Sequence, residues 1–256
     1  MEESRKTILV VGANPAWQKT VSCTRLAPGE VVRVKVEASG AAGKGFNTAR
    51  AIRAFGFPVS LVSAAGPDAP EWEEACREEG MSVALFRICD RIRTATSVLD
   101  LTSRETTEIV EEGPEVADGA ALVVENLVRQ VSANASIVVV AGTFPPGLAP
   151  RGVLEILCDA TSRVVVDSVP SIRTLRDMDR APARLLLKLN ESEWKVVFGE
   201  PTLTSALKQA RGLWPRAELV ATRGDKGAVL WEGAGECRSL SSDPFEPAVA
   251  VHPIGA

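Results

Sequence analysis

Short apolar runs alternate with helical segments along most of this sequence, and this alternation limits the folds open to the chain more than any other feature. Typical apolar runs lie at residues 8–13, Ile137–Ala141 and 185–189. Amphipathic segments such as residues 120–131 separate them. Strands that alternate with helices predict an α/β fold, in which a mostly parallel sheet is covered by helices on both faces.

Two polar segments do not follow this alternation. Residues 21–39 and 93–110 are rich in Val, Thr and charged residues and contain turn-like stretches, so each is predicted to form a β-hairpin. We expect the two hairpins to form one small β-sheet that stands off the main body as a lid. Because no internal repeat or low-complexity linker occurs, residues 1–256 are predicted to form a single domain.

The charge balance and the rarity of histidine exclude several classes of function. The 256 residues carry 29 Lys and Arg against 33 Asp and Glu, a net charge of −4 with a pI of about 5.3, so no nucleic-acid partner is expected. A single histidine leaves no basis for a His-based triad or a His-rich metal site. The five cysteines are widely scattered, which is typical of reduced thiols in a cytoplasmic protein. No apolar run approaches the roughly 18 residues that span a bilayer, so no membrane partner is expected.

A glycine-rich segment with one lysine opens a predicted helix. Gly43 lets the backbone approach an anion closely, Lys44 adds a point charge, and free N–H groups at the helix N-terminus favour phosphate. Asn47 is predicted to cap this helix, which should run through Ala54. The segment lacks the spacing of a Walker A loop, so a flexible helix-entry loop without a ligand explains it as well.

A second pattern follows the apolar run 185–189. Asn190 with Glu193 three residues later has the spacing of a capping box at a helix start. The same carboxylate, at the end of a strand and near Lys188, could instead organise a metal ion and phosphates. The spacing alone does not separate these two interpretations.

Three further features have both a structural and a functional interpretation. The loop at residues 142–147 contains Pro-Pro between glycines after a predicted strand, where ligands bind in α/β folds. Thr222, Gly224 and Gly227 form a predicted hairpin turn, whose glycines would also let a nucleotide lie against the backbone. Arg93 opens the second hairpin and is either a solvated cation or an anion ligand.

These motifs follow one another in a fixed order along nearly the whole chain. They are Asn14-Pro15-Ala16, Pro28-Gly29-Glu30, Gly43-Lys44-Gly45-Phe46-Asn47-Thr48-Ala49-Arg50, Arg93-Thr94, Thr107-Glu108, Gly142-Thr143-Phe144-Pro145-Pro146-Gly147, Lys188-Leu189-Asn190 with Glu193, and Thr222 with Gly224 and Gly227. In this order they resemble the ribokinase-like carbohydrate kinases, the PfkB family, and most closely its 1-phosphofructokinase and tagatose-6-phosphate kinase branch. The resemblance implies a three-layer α/β/α sandwich with a mostly parallel central sheet and a small β-sheet lid.

The resemblance also implies an activity and a set of site residues. The activity would be transfer of the γ-phosphoryl group of ATP, with Mg²⁺, to a hydroxyl of a phosphorylated hexose. Lys44 and Arg93 would hold the phosphate that the substrate already carries, and Asn47 would hold sugar hydroxyls. The whole implied substrate set is Asn14, Gln18, Gly43, Lys44, Asn47 and Arg93. The implied set for ATP is Lys188, Asn190, Glu193, Thr222, Gly224 and Gly227, with Glu193 also serving Mg²⁺. Sugar phosphate and ATP would be the small-molecule partners, and a homodimer would form through the lid.

The sequence departs from the family pattern in four places. Gln18 stands where the family usually has Asp, Ala42 replaces a Gly of the phosphate loop, and Leu189 replaces a usual Pro. The closing Gly255 and Ala256 resemble the beginning of the family's Gly-Ala-Gly-Asp signature, which forms an anion hole. The resemblance therefore implies that the catalytic Asp falls beyond Ala256 and that the C-terminal part is missing, so that the chain as given would be almost inactive.

Two other functions are consistent with the same motifs. One is a kinase of an unphosphorylated sugar or nucleoside, which Gln18 favours and Lys44 opposes. The other is a kinase-fold protein that binds a ligand without turnover. A dinucleotide oxidoreductase is disfavoured, because no GxGxxG follows any predicted strand.

Overall fold

The computed structural model describes residues 7–232 and 237–240, which form two sheets and the helices around them. The strands are β1 (Ile8–Val11), β2 (Ala16–Cys23), β3 (Lys35–Ala42), β4 (Val59–Ala65), β5 (Ser82–Arg87), β6 (Arg93–Asp100), β7 (Thr106–Val110), β8 (Ile137–Ala141), β9 (Arg163–Asp167), β10 (Leu185–Asn190), β11 (Glu218–Thr222), β12 (Ala228–Trp231) and β13 (Cys237–Leu240). The α-helices are α1 (Lys44–Ala54), α2 (Ala69–Glu78), α3 (Ala120–Ser132), α4 (Arg151–Cys158), α5 (Val169–Arg176), α6 (Glu191–Phe198) and α7 (Leu203–Leu213).

The larger sheet has nine strands in the order β13-β12-β11-β10-β9-β8-β1-β4-β5. Neighbours from β11 to β5 pair in parallel, and β12 and β13 continue the sheet antiparallel. The chain first winds outward from β1 to β4 and β5, then returns to β8 on the other side of β1. The predicted α/β fold with a mostly parallel sheet is confirmed, and β1 and β8 mark its topological switch point.

Alternation within β1 divides the interior into two cores. Leu9 and Val11 pack into the core that α3, α4, α5, α6 and α7 cover. Val10 points to the other face, where α1 and α2 place Phe46 and Trp72 against it. Side chains of successive strand residues point to opposite faces, so a strand buried between two helical layers must be apolar throughout. Its sequence Ile-Leu-Val-Val meets that requirement.

The smaller sheet has four strands in the order β3-β2-β6-β7. Each pair β2/β3 and β6/β7 is antiparallel, and the two hairpins join through the parallel pair β2/β6. The predicted small sheet is thus present, but the first hairpin extends over residues 16–42 and not only 21–39. The polar residues Gln18 and Lys19 in β2 obscured its start, because neither fits an apolar alternation. We call this sheet the lid.

Two local predictions need correction. Helix α1 begins at Lys44 with Gly43 at its N-cap, so Asn47 lies inside the helix, where its N–H donates to the Gly43 carbonyl. Helix α5 was missed, although Ser168 followed by Val169-Pro170 is a helix-start signal that the structure uses through a Ser168 cap. The predicted hairpin of β11 and β12 is present, and its turn is a short 3₁₀ segment at Gly224–Lys226.

Two further expectations concern membrane-spanning helices and the last residues of the sequence. None of the helices within residues 7–232 and 237–240 combines the length and apolar character that crossing a membrane requires. Gly255 and Ala256, the expected start of an anion hole, lie outside the described residues.

Candidate functional site

An open cavity of about 610 Å³ lies between the lid and the carboxyl edge of the large sheet, where α1 begins. Parallel sheets bind ligands at this edge, beside their switch point. Its lining includes Gln18, Gly43, Lys44, Asn47, Arg93 and Lys188. Five of these six were predicted as substrate residues and the sixth as an ATP residue, so the fold brings together residues from four separate motifs.

The lid presents one of its two faces to this cavity. Ala16 and Gln18 on β2, Arg93 and Ala95 on β6, and Glu108 on β7 all line it. Within each strand these positions alternate with residues that do not line the cavity, as the two-residue period of a strand requires. The strand register then places Gln18 directly beside Ala95.

The backbone around Gly43 shapes the floor of the cavity. Gly43 has φ +108°, a conformation that favours glycine, and it turns the chain from β3 into α1. Two residues further, Gly45 packs against Gly12 so closely that a Cβ on Gly45 would lie 2.4 Å from the Gly12 Cα. This contact seats the N-terminus of α1 over the end of β1, with its first N–H groups beside Lys44.

Two lysines of the cavity share one carboxylate. Asp167, the last residue of β9, is largely buried, with Lys44 Nζ 2.5 Å from Oδ1 and Lys188 Nζ 2.8 Å from Oδ2. Lys188 donates a hydrogen bond, whereas Lys44 forms an ion pair without hydrogen-bond geometry. Asp167 was not predicted as a site residue, although a lone Asp at the end of the apolar run Val164-Val165-Val166 was the available signal.

Arg93 reaches the cavity from the first residue of β6. Its Nε donates to the Pro15 carbonyl at 3.4 Å and its Nη1 to the Glu111 carbonyl at 3.3 Å. Burial lowers the pKa of Arg93 from its ordinary value, but a guanidinium stays charged at neutral pH. Arg93 is therefore a cation held against neutral carbonyl groups.

The side-chain amides of two predicted substrate residues, Gln18 and Asn14, donate hydrogen bonds to other side chains of the protein. Gln18 Nε2 donates to the hydroxyl of the buried Ser97 at 2.6 Å, which orients the amide within the lid. Asn14 is not part of the cavity lining. Its Nδ2 donates to Thr143 Oγ1 at 2.9 Å, joining the loops that follow β1 and β8 across the switch point.

The residues predicted for ATP lie around the ends of β10 and β11. Asn190 and Glu193 form the full capping box of α6, with Asn190 N–H donating to Glu193 Oε2 at 2.9 Å and Glu193 N–H donating to Asn190 Oδ1 at 2.8 Å. Thr222 pairs in register with Asn190. Gly224 and Gly227 both have positive φ, so the backbone of this turn is shaped by glycine.

An ion pair that was not predicted ties this turn to α6. Arg223 Nε lies 3.0 Å from Glu191 Oε2. Hydrogen bonds from Lys195 and from Arg223 lower the pKa of Glu191, so it is ionised at neutral pH. Glu191 and Arg223 thereby hold the loop after β11 beside the start of α6.

The described residues include no cluster of three or more His, Cys, Asp or Glu that would hold a metal ion by itself.

A family model described as pfkB family carbohydrate kinase matches residues 6–256. The chain is similar to a protein named 1-phosphofructokinase from Xanthomonas campestris, 27% identical over 237 residues, covering 87% of this chain and 73% of that protein. It is also similar to 1-phosphofructokinase from Vibrio cholerae, 26% identical over 234 residues, covering 88% and 72%. Among solved structures, phosphofructokinase-2 from Escherichia coli in complex with fructose-6-phosphate superposes with a TM-score of 0.80 at 20% identity, covering 93% of this chain and 80% of that one.

Proposed function

Because the chain belongs to the pfkB family of carbohydrate kinases, we propose that it transfers the γ-phosphoryl group of ATP to a hydroxyl of a phosphorylated hexose, as a 1-phosphofructokinase or tagatose-6-phosphate kinase does. The observation that carries the substrate class is the convergence of Lys44 and Arg93 on one cavity. An unphosphorylated sugar offers no charge to match two cations, whereas a sugar phosphate does.

The two cations hold the substrate's phosphate from two sides. Lys44 stands at the N-terminus of α1, where free N–H groups also favour an anion. Arg93 stands on the lid, and its planar guanidinium suits bidentate contact with phosphate oxygens. The phosphate then lies between lid and sheet, so its binding would draw the lid onto the substrate.

The sugar ring is held by neutral polar groups in this proposal. Asn47 lines the cavity one turn into α1, and Gln18 lines it from the lid. Gln18, which replaces a family Asp, offers an amide that both donates and accepts hydrogen bonds, whereas a carboxylate only accepts. Asn14 contributes from the switch point, next to Thr143. Gly43 contributes through its backbone, which can approach a ligand closely.

ATP binds beside the ends of β10 and β11 in this proposal. Lys188 extends from β10 into the cavity and would contact the phosphates, as would Asn190. Thr222, Gly224 and Gly227 would line the nucleotide on the β11 side, where positive φ values leave the backbone open to close approach. Glu193 would hold Mg²⁺, which neutralises charge on the phosphates of ATP.

The protein's part in the reaction is mainly positioning and charge neutralisation, because phosphoryl transfer needs little covalent chemistry from the enzyme. Lys44 and Arg93 fix the acceptor through its phosphate, and Lys188 faces the same cavity from the ATP side. Asp167 has each carboxylate oxygen close to a lysine, so we assign it no proton transfer.

The test is turnover by the purified full-length protein with Mg-ATP and a set of acceptors. Fructose 1-phosphate and tagatose 6-phosphate are the phosphorylated arms, and fructose and adenosine are the unphosphorylated arms. We expect kcat/KM for at least one sugar phosphate to exceed that for fructose and adenosine by a hundredfold or more. Preference for an unphosphorylated acceptor would replace the proposed substrate class, and binding without turnover would replace the activity.

We further propose that the protein forms a homodimer through the lid. Apolar side chains on its edge strands support this, since Val36 on β3 is 52% exposed and Ile109 on β7 is 57% exposed. Edge strands with exposed apolar residues are common sites of association between chains.

A further inference from the structure

Asp167 lies beneath the cavity, between two lysines that the proposed function gives to different substrates. Its side chain is only 13% exposed, and it is absent from the residues that line the cavity. Lys44, on the sugar-phosphate side, pairs with Oδ1, and Lys188, on the ATP side, pairs with Oδ2. A single carboxylate thus joins the two halves of the site from below.

The path of Lys44 to this carboxylate depends on a glycine. Gly142 follows β8, and its N–H donates to the Asp167 carbonyl at 3.0 Å, so the ends of β8 and β9 are held together. A Cβ on Gly142 would lie 3.0 Å from the Lys44 Cβ, closer than ordinary side-chain contacts. Lys44 therefore passes over the end of β8 where a side chain would obstruct it. The contact between Lys44 and Asp167 therefore depends on the space that Gly142 leaves open, as well as on the two side chains.

The electrostatics favour ligand binding by both lysines while they are paired. An ammonium group has three N–H donors, so each lysine can contact Asp167 and still direct donors into the cavity. Without the carboxylate, the ammonium groups of Lys44 and Lys188 repel each other and lose the partner that they share. Removal of the negative charge of Asp167 would also make the cavity more positive and strengthen its attraction for phosphorylated ligands.

We propose that Asp167 is a positioning residue that holds Lys44 and Lys188 in a fixed mutual arrangement, and thereby aligns the sugar phosphate with ATP for phosphoryl transfer. This inference rests on the proposed function and adds a residue to it. Misplacement of reacting groups by about 1 Å can cost about a hundredfold in rate. Loss of Asp167 should therefore lower kcat, whereas the KM values should stay unchanged or fall because a negative charge has been removed.

The test uses the full-length protein and Asp167→Asn, which keeps the side-chain shape. We expect kcat to fall about a hundredfold, with KM for fructose 1-phosphate and for ATP no higher than in the wild type. The matched control is Asp159→Asn, whose carboxylate pairs with Arg180 at the opposite edge of the sheet. That variant should retain the wild-type kcat. A merely structural role for Asp167 would instead raise both KM values or lower the melting temperature.

A double-mutant cycle shows whether Asp167 acts through the lysine. In a Lys44→Ala background, Asp167→Asn should cost about tenfold or less, because one of the two groups that it positions is gone. An undiminished hundredfold cost would mean that Asp167 acts directly, and would overturn the proposal. If Asp167→Asn does not fold, Asp167→Glu retains the charge but displaces both lysines, and the same fall in kcat with unchanged KM is expected.

A crystal structure of Asp167→Asn separates failure of this inference from failure of the proposed function. Wild-type protein without turnover on any sugar phosphate would contradict the proposed function alone. In the variant, the Nζ atoms of Lys44 and Lys188 should move apart by more than about 1 Å. Unchanged lysine positions would overturn the inference whatever the wild type phosphorylates.

Discussion

Lys44 combines three properties at one position: it is cationic, it begins a helix, and it faces both the cavity and Asp167. We predict that Lys44→Ala in the full-length protein raises KM for the sugar phosphate more than KM for ATP. Loss of one charge-assisted contact, about 1.5–3 kcal/mol, corresponds to a roughly ten- to hundredfold increase. Steady-state kinetics with each substrate varied in turn checks this. Lys208→Ala, on the exposed side of α7, is the control and should change neither KM. A larger increase in KM for ATP would move Lys44 to the nucleotide side.

Glu193 is a residue for which two roles share one geometry. The structure shows the capping box, which was one of the two sequence interpretations, and a role with Mg²⁺ remains our prediction. Glu193→Gln keeps a hydrogen-bonding oxygen for Asn190 N–H, so stability should change by less than about 1 kcal/mol. Gln is a poorer ligand for a hard cation, so kcat should fall at limiting Mg²⁺ and partly recover as Mg²⁺ is raised. Thermal denaturation and a Mg²⁺ titration of kcat measure the two effects. A kcat that is equal to that of the wild type across the titration would leave Glu193 as a cap alone.

At the scale of secondary-structure elements, α1 is held against β1 by contact between two glycines. Any side chain on Gly45 would collide with the Gly12 backbone, so α1 would have to shift together with Lys44. We predict that Gly45→Ala destabilises the protein by about 1–3 kcal/mol, as overpacking does. It should also raise KM for the sugar phosphate.

The matched control for this prediction is Gly212→Ala in α7. Apart from its chain neighbours and the backbone of its own helix, no heavy atom lies within 4 Å of the Cβ that this substitution adds. A Gly to Ala change inside a helix then stabilises by up to about 1 kcal/mol. Urea denaturation of both variants gives the two free energies of unfolding, which should change in opposite directions. Equal effects would mean that the Gly12 contact is not tight in solution.

The turn between β6 and β7 depends on a single carboxylate. Asp100 accepts hydrogen bonds from the N–H groups of Leu26, Thr102 and Ser103 at 2.8, 2.8 and 3.0 Å. The Leu26 bond, followed by that of Ser103, lowers the pKa of Asp100 from its ordinary value. Because the pKa is lower in the folded state, the carboxylate stabilises the fold fully above about pH 5 and less as pH falls below the ordinary value of about 3.9.

We therefore predict that Asp100→Asn lowers the melting temperature at pH 6, and that its difference from the wild type shrinks towards pH 3. An Asn side chain has one accepting oxygen and one NH₂ group, so it cannot accept the Leu26 bond and the bonds from Thr102 and Ser103 at once. It also carries no charge that changes with pH. Calorimetry of both proteins from pH 6 to pH 3 gives the difference in melting temperature at each pH. The other carboxylates titrate in both proteins, so their effect cancels in this difference. A difference that is constant over this range would show that the charge of Asp100 is not what holds the turn.

At the scale of the whole molecule, the lid is both one wall of the cavity and the proposed dimer surface. We predict that Ile109→Lys converts the homodimer to a monomer, since a buried lysine without a partner is costly at an interface. Sedimentation velocity of the full-length protein measures the oligomeric state. Leu122→Lys is the control, because Leu122 on α3 is 63% exposed and lies on the main body. A monomeric wild type, or an Ile109→Lys variant that stays dimeric, would contradict association through the lid.

Sequence patterns determined the α/β class, the small second sheet and many element boundaries. Strand β8 has the bounds of the apolar run Ile137–Ala141, and helix α6 begins after Asn190, where the capping-box spacing predicts a helix start. Apolar period and capping residues are local properties, so neighbouring residues suffice to read them. The motif residues that converge on the cavity were predicted through their family resemblance, which carries information that a local pattern does not.

Only the tertiary structure decided how these residues act on one another. Asp167 meets Lys44 and Lys188 because β9 lies between β8 and β10 and because α1 crosses β1 and β8. The start of α1 at Lys44, and not at Asn47, follows from a conformation at Gly43 that favours glycine. Strand order, register and close backbone contacts bring together residues that are distant in the chain. Such contacts produce no periodic pattern in the sequence, so local patterns do not predict them. For this reason the sequence identified the two lysines, and the fold identified the carboxylate that holds them together.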